Sequence, residues 1–430
     1  MSNMTKASIF QELTEAIEKM PIADTHEHLM LERMRVGHPM DFFTITMTQY
    51  ASSDLVSAGM PAAQMDKLCG LSTPLAEKIA IFMPFWEKAN NTTYCRALKI
   101  AAKDLYGVEE INAETLPILN ARMVEQNKPG LYKKILEEKC KIKYCVWDQW
   151  WEDVPDKDDF YPLAVRLDNI IFINSPQDIK TLEQRYSAEL TSLEKIEQLM
   201  ETRTQIYKKC GIIAYKSALA YDRSLDYQIT SKEDASTALQ RILSNNFTKL
   251  DAKTLQDYLM YRVAELAAKH KLVFQIHTGL LEGNGNFIRH ANPSLLSTLI
   301  FENPNVNFAL MHGGYPYGGE LSAMAKMFPN VYIDMCWLHI ISHYHVHNVL
   351  MEWLDAVPVN KILGFGGDYV FVEGVYGHLQ MAKENLAHVL STRVADGYCT
   401  LDEAKKYAKM MLYDNVNDLF FPKKNVTTAI

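Results

Sequence analysis

Pro21-Ile22-Ala23-Asp24-Thr25-His26-Glu27-His28 is the stretch on which the fold and the chemistry both turn. A short apolar run ends in a His-x-His pair. Side chains two apart on a strand point to the same side. Two imidazoles therefore converge just past the strand end, which is half of a divalent metal site. A single His-x-His is a weak signal, so its weight depends on the rest of the chain.

Outward from this pair, eight short apolar, β-prone segments recur: 22–26, 142–146, 169–173, 212–216, 272–277, 306–312, 331–335 and 362–365. Stretches with helical periodicity lie between most of them, for example 192–210, 255–270 and 375–390. This alternation predicts an α/β fold, a (β/α)8 TIM barrel. The gap between the first two strands is too long for one crossover. Residues 29–141 are expected to form a helical insertion after strand one that caps the active-site mouth, with helices near 75–82, 94–106, 113–125 and 130–139. Residues 1–430 then make one domain, with no repeat or flexible linker.

Polar residues terminate several of the other apolar runs. Lys216 ends the fourth, His277 the fifth and His312 the sixth, and Asp368 comes just after the eighth. Barrel active sites are built at this face from the ends of several strands. Glycines after His277 and His312 and before Asp368 allow sharp turns there. Any one of these residues has an ordinary structural role available to it. Six at the ends of strands one, four, five, six and eight point to a metal centre. Imidazoles with a carboxylate suit Zn²⁺ best, with Mn²⁺, Fe²⁺ and Ni²⁺ as alternatives. Metal binding lowers the pKa of water from about 16 to about 7. Asp368 can take the proton of that water and hand it to a leaving group, and His312 can polarise a carbonyl.

The order His26, His28, Lys216, His277, His312 and Asp368 resembles the amidohydrolase superfamily. Its pattern is His-x-His on strand one, Lys or Glu on four, His on five and six, and Asp on eight. The phrases Gln275-Ile276-His277-Thr278-Gly279 and His312-Gly313-Gly314-Tyr315-Pro316 look like the amidohydrolase-related group. That group also holds uronate isomerases and the amidohydrolase-like domains fused to some glutamine synthetases. The resemblance implies one or two metal ions. In the two-metal branch the strand-four lysine is carboxylated and bridges both ions, which is the expectation for Lys216. The leading expectation is a hydrolase acting on an amide, lactone or ester of a small, carboxylate-bearing substrate. A sugar-acid isomerase and a nonoxidative decarboxylase are the alternatives, and a non-catalytic barrel is the contrasting class.

Arg223, Arg33 and Arg35 are candidate clamps for a substrate carboxylate, since guanidinium binds carboxylate bidentately. Tyr221, Tyr315 and Trp337 are expected at the pocket rim. Trp147, Asp148, Trp150 and Trp151, after strand two, are expected in its wall. His339, His343 and His347 would form one stripe on a helix after strand seven, facing solvent or a partner.

Composition is that of a globular protein, 48% hydrophobic and 22% charged. A net charge of -8 and the lack of a long basic run argue against nucleic acid and anionic membrane as partners. The first twenty residues lack an unbroken apolar core, so they are expected to form an amphipathic helix and not a leader. Seven scattered cysteines without a Cys-x-x-Cys fit reduced thiols in the cytoplasm. The expected partner is a small molecule, and a homo-oligomer is compatible with the acidic surface.

Overall fold

The computed structural model describes residues 5–148 and 158–422. Its centre is an eight-stranded parallel sheet in the order β1 to β8. The strands are β1 (Ile22–Glu27), β2 (Ile142–Asp148), β3 (Leu163–Val165), β4 (Ile212–Ser217), β5 (Val273–Ile276), β6 (Phe308–Leu310), β7 (Val331–Asp334) and β8 (Ile362–Leu363). Beyond β8 the chain stays extended and bonds back to β1. Thr25 N–H donates to Phe365 O (3.1 Å), Asp368 N–H to His26 O (2.9 Å) and His28 N–H to Tyr369 O (3.1 Å). These bonds bring the first and last strands together, so the sheet curls into a nearly closed (β/α)8 barrel. No helix among the described residues is long and apolar enough to cross a membrane.

The strands are buried on both faces, which is why they read as nearly continuous apolar runs. A small cluster, distinct from the main core, takes Ala23, Val146, Ala164, Ala214, Val273, Ala309 and Leu363 from seven strands. Residues from so many strands can touch only inside the barrel. Val416, Leu419 and Phe420 of the helix Asn415–Phe420 pack against this cluster. Two residues further along their strands, on the same face, stand Asp148, Lys216 and Gln275, and His277 lies two beyond Gln275. Period-two alternation thus stacks a polar layer on an apolar one.

The third strand differs from expectation. The Ile-Ile-Phe-Ile run makes 169–173 the expected strand, but Asp168–Ile171 is a helical turn. The strand is the shorter Leu163–Val165, paired with Trp147 and Asp148 on one side and with Ile212, Ala214 and Tyr215 on the other. Ile170, Ile171 and Ile173 are buried in the layer outside it. A short apolar run cannot reveal whether its burial comes from a strand or a helix.

Between β1 and β2 lie seven α-helices, from Glu32–Val36 to Leu116–Gln126, and a π-helical segment, Lys133–Lys139. The helix Thr93–Tyr106 starts where Thr92 Oγ1 accepts from Cys95 N–H, and it ends at left-handed Gly107. The loop after β5 grips this region. Glu282 Oε1 accepts from Tyr50 N–H (3.0 Å) and Ser53 Oγ (3.1 Å).

The histidine stripe is not one face of one helix. Ser342 interrupts it and caps a new helix, His343–Ala356. His339 is buried and donates from Nε2 to Gly364 O at 2.9 Å, so it does not face solvent.

Candidate active site

The positions of His26 and His28 depend on a distortion in β1. Ala23 faces the barrel interior, and strict alternation would turn residue 26 outward. Between Asp24 and Glu27 the register against β2 shifts. An extra residue in one strand reverses the facing of the residues beyond it. Asp24 Oδ1 supports the kink by accepting from His26 N–H (3.1 Å) and Gly367 N–H (3.3 Å).

Each of the four histidines has one nitrogen assigned by an oxygen that can only accept. His28 Nδ1 donates to Asp148 O at 2.9 Å and His277 Nε2 to Leu280 O at 2.7 Å. His312 Nδ1 donates to Cys336 O at 3.2 Å. His26 Nδ1 donates to Gln275 Oε1 at 3.2 Å, and Gln275 is oriented by its own amide N–H bond to Thr25 O (2.7 Å). The other nitrogen of each ring therefore carries a lone pair: those of His277 and His312 point at each other, that of His28 at Asp368 Oδ1, and that of His26 lies between Asp368 Oδ1 and the Lys216 amine. His277 Nδ1 and His312 Nε2 are 3.0 Å apart. His28 Nε2 is 3.3 Å and His26 Nε2 3.6 Å from Asp368 Oδ1. Facing lone pairs repel unless a proton or a cation lies between them. Burial pushes His26 and His277 well below the usual histidine value, and His312 to about 3. Protonated rings are thus disfavoured near neutral pH, and neutral rings are the ligand form. This donor set fits a divalent cation.

Lys216 is buried beneath these groups, 3.3 Å from His26 Nε2 and 2.9 Å from Met311 Sδ. Burial lowers its pKa. Two glycines precede Asp368, and a Cβ at Gly367 would lie 1.9 Å from Glu27 Oε1. The buried Glu27 carboxylate fills the space a side chain at 367 would need. His312, Trp337 and Asp368 all have left-handed backbone, with φ of 64°, 63° and 61°. Such conformations cost of order 1–3 kcal/mol each for residues other than glycine and collect at functional sites.

A cavity of about 370 Å³ opens over this group. His28, Lys216, His277, Tyr221 and Asp368 line it together with Gln49, Tyr50, Arg166, Asp168 and Glu282. Tyr221 stands edge-on to His277, with ring centroids 4.9 Å apart. Sequence reasoning misses Tyr50. Its hydroxyl lies 2.5 Å from Asp368 O and 2.9 Å from Asp368 Oδ2. Burial raises the pKa of this phenol well above 10, so it is a donor at neutral pH. Sequence reasoning also misses Arg166, one residue past β3, because it sets strand three too late in the chain. The Nε and Nη2 of Arg166 both donate to Asp148 Oδ2, at 2.8 and 2.6 Å. Asp148 in turn lies 3.6 Å from His26 Nε2. A polar residue ending the short Leu163-Ala164-Val165 run is the signal available for it.

Several candidates lie elsewhere. Arg223 bonds Asp257 (2.5 Å) and Gln256 (2.9 Å) and stacks over Tyr227, outside this cavity. Arg35 is consumed by Glu373 in a buried bidentate pair. Arg33 borders a separate cleft with Tyr132 and Tyr161. Trp147 is buried, with its indole N–H bonded to Leu29 O, so it packs instead of lining the cavity. Tyr315 packs on His345 away from the site. Trp337 is fully buried behind it, stacked on Tyr50 and edge-on to His312 at 5.2 Å. Trp150 and Trp151 lie outside the described residues.

Comparison with known proteins agrees with the barrel. Residues 232–408 match the amidohydrolase family. Protein fluG of Emericella nidulans is 28% identical over 222 residues, 49% of this chain and 26% of that protein. The chain thus spans about a quarter of the length of that relative. The uronate isomerase of Thermotoga maritima superposes with a TM-score of 0.80 at 16% identity, covering 96% of this chain and 97% of that one. The glucuronate isomerase of Caulobacter crescentus gives 0.79 at 16% identity, covering 99% and 96%. Identities this low establish the fold alone. The match over residues 232–408 and the shared barrel fold agree with the resemblance to the amidohydrolase superfamily.

Proposed function

We propose that the protein is a metal-dependent hydrolase that cleaves an amide, lactone or ester bond in a small carboxylate-bearing substrate. The observation that carries this reading is the set of four imidazole lone pairs turned inward onto one another and onto Asp368. His26, His28, His277, His312 and Asp368 would hold the ion or ions, with Zn²⁺ the best match to these donors. A bound divalent ion supplies Lewis acidity, polarising the scissile carbonyl and acidifying water. Asp368 accepts a proton from the attacking water and delivers it to the leaving atom. Tyr50 orients that carboxylate through its 2.9 Å contact. The inserted segment contributes Gln49 and Tyr50 to the wall of the cavity. Lys216 bears a carbamate if two ions share it. A metal content near one per chain, with no bicarbonate dependence, rejects that version.

Arg166 takes the substrate carboxylate in this scheme, in place of Arg223, Arg33 and Arg35. Asp148 holds the guanidinium by one edge while the group borders the cavity. Arg166→Met is expected to raise KM by roughly 10–100-fold with a smaller change in kcat, as for loss of a charged hydrogen bond. Equal KM values for the two enzymes would remove Arg166 from the scheme.

The test of the function is a screen of amides, lactones and esters of small dicarboxylic and sugar acids. Chelation is expected to abolish turnover, and Zn²⁺ to restore it. Full turnover in protein stripped of metal would overturn the reading. A phenol beside the proton-accepting carboxylate also suits proton movement between adjacent carbons, and two proteins sharing the fold are uronate isomerases. Aldose–ketose conversion of hexuronates, without hydrolysis of any ester or amide, would favour that second reading.

A further inference from the structure

Beside the four histidines lies a sulfur donor. Cys336 sits two residues past β7 and is fully buried. Its Sγ, a ring nitrogen of His312 and a carboxylate oxygen of Asp368 lie within 4.8 Å of one another. His26, His28 and Asp148 form a second trio within the same limit. The six donors thus fall into two triplets, each with imidazole and carboxylate and only one with sulfur.

The main chain holds the thiol in place. Cys336 N–H donates to Asp334 Oδ1 at 2.9 Å. Its carbonyl takes the Nδ1 proton of His312, which leaves the Nε2 lone pair of that ring free. On the opposite side runs Gly366, where a Cβ would lie 2.8 Å from Cys336 Cβ and 2.9 Å from Sγ. Only glycine at 366 leaves room for the cysteine side chain. The lysine amine, by contrast, is directed to Met311 Sδ and His26.

We propose that Cys336 is a metal ligand, forming with His312 and Asp368 a sulfur-containing cation position next to His26 and His28. This rests on the metal-centre reading above and adds a ligand to it. Thiolate selects Zn²⁺, Co²⁺ or Fe²⁺ over Mg²⁺ and Mn²⁺. Around a tetrahedral ion with bonds of about 2.3 Å to sulfur and about 2.0 Å to nitrogen or oxygen, donors stand about 3.5 Å apart. The trio therefore needs to close by up to about 1.3 Å. On binding, the S–H bond breaks, sulfur gives its electron pair to the ion, and the proton leaves to buffer.

Co²⁺ titrated into the metal-stripped full chain tests this, read by absorption. The expected result is a near-ultraviolet sulfur-to-cobalt charge-transfer band in the wild type. Cys336→Ser is expected to lose that band, keep the weaker visible bands of the histidine-held ion, and bind one Co²⁺ at least roughly tenfold more weakly. Cys336→Ala, with its melting temperature measured metal-free, separates ligand loss from misfolding. The sulfur-to-cadmium band of the wild type needs no variant. Metal uptake without a sulfur band, or a band that survives in both variants, overturns the cysteine assignment and leaves the metal centre standing. No uptake of Co²⁺ or Cd²⁺ at all overturns both.

Discussion

Asp368→Asn is expected to lower kcat by about 10²–10⁴-fold, the range for loss of a positioned acid–base group. The substitution keeps the shape of the side chain and its contact with the Tyr50 hydroxyl. It removes the negative charge and the ability to accept a proton. Asp368 also faces His26 and His28 at 3.6 and 3.3 Å, so it combines the acid–base role with that of an anionic ligand. Two measurements separate these roles. A kcat loss with unchanged metal content assigns the effect to proton transfer. A loss of metal in parallel assigns part of it to ligation. Activity within a few-fold of wild type, on any substrate the screen identifies, would remove Asp368 from the chemistry. Tyr50→Phe is expected to be milder, because the carboxylate remains and loses only its orienting donor.

The largest expected effect on stability is at Arg35. Its guanidinium donates to both oxygens of Glu373 at 2.7 Å, and each side chain is 1% exposed. Tyr106 adds a third bond to the same carboxylate at 2.5 Å. Arg35 lies in the inserted segment and Glu373 in the first turn of the helix Val372–Ala395, just after Asp368. Arg35→Met leaves a buried carboxylate without its cation, which costs about 3–5 kcal/mol. Replacing both partners, as Arg35→Met with Glu373→Leu, is expected to cost less than the single change, because no charge is then stranded. Denaturant unfolding of the three variants measures this. A single variant within about 1 kcal/mol of wild type would show that the pair contributes little. The pH dependence has a definite sign. Burial acts to raise the Glu373 carboxyl, but Arg35 and Tyr106 outweigh it and hold the group below its ordinary value of 4.5. The stabilisation is therefore present above that pH and is lost as pH falls below it.

Arg35 also shows where the reading of residues in one dimension stops. Three arginines near the strand ends look equally suited to bind a carboxylate. Two of them already bind one within the protein, at Glu373 and Asp257. The guanidinium that borders the cavity is Arg166, hidden after a strand of three residues. An ion pair's partner is chosen in space, and both internal partners are more than thirty residues away along the chain.

The amino-acid pattern alone determined the barrel and the members of its polar mouth. A parallel strand buried on both faces must be apolar along its length, so a histidine, lysine or aspartate that ends such a run marks the strand's open end. That is why His26, His28, Lys216, His277, His312 and Asp368 can be named from their places in the chain. Tertiary structure alone decided which way they face and what stands beside them. The register shift in β1 turns His26 and His28 inward, and it depends on pairing with β2. Tyr50, Arg166 and Cys336 reach the site from three other parts of the chain. No local periodicity encodes such contacts, because they form only when a closed sheet brings distant strand ends to one rim.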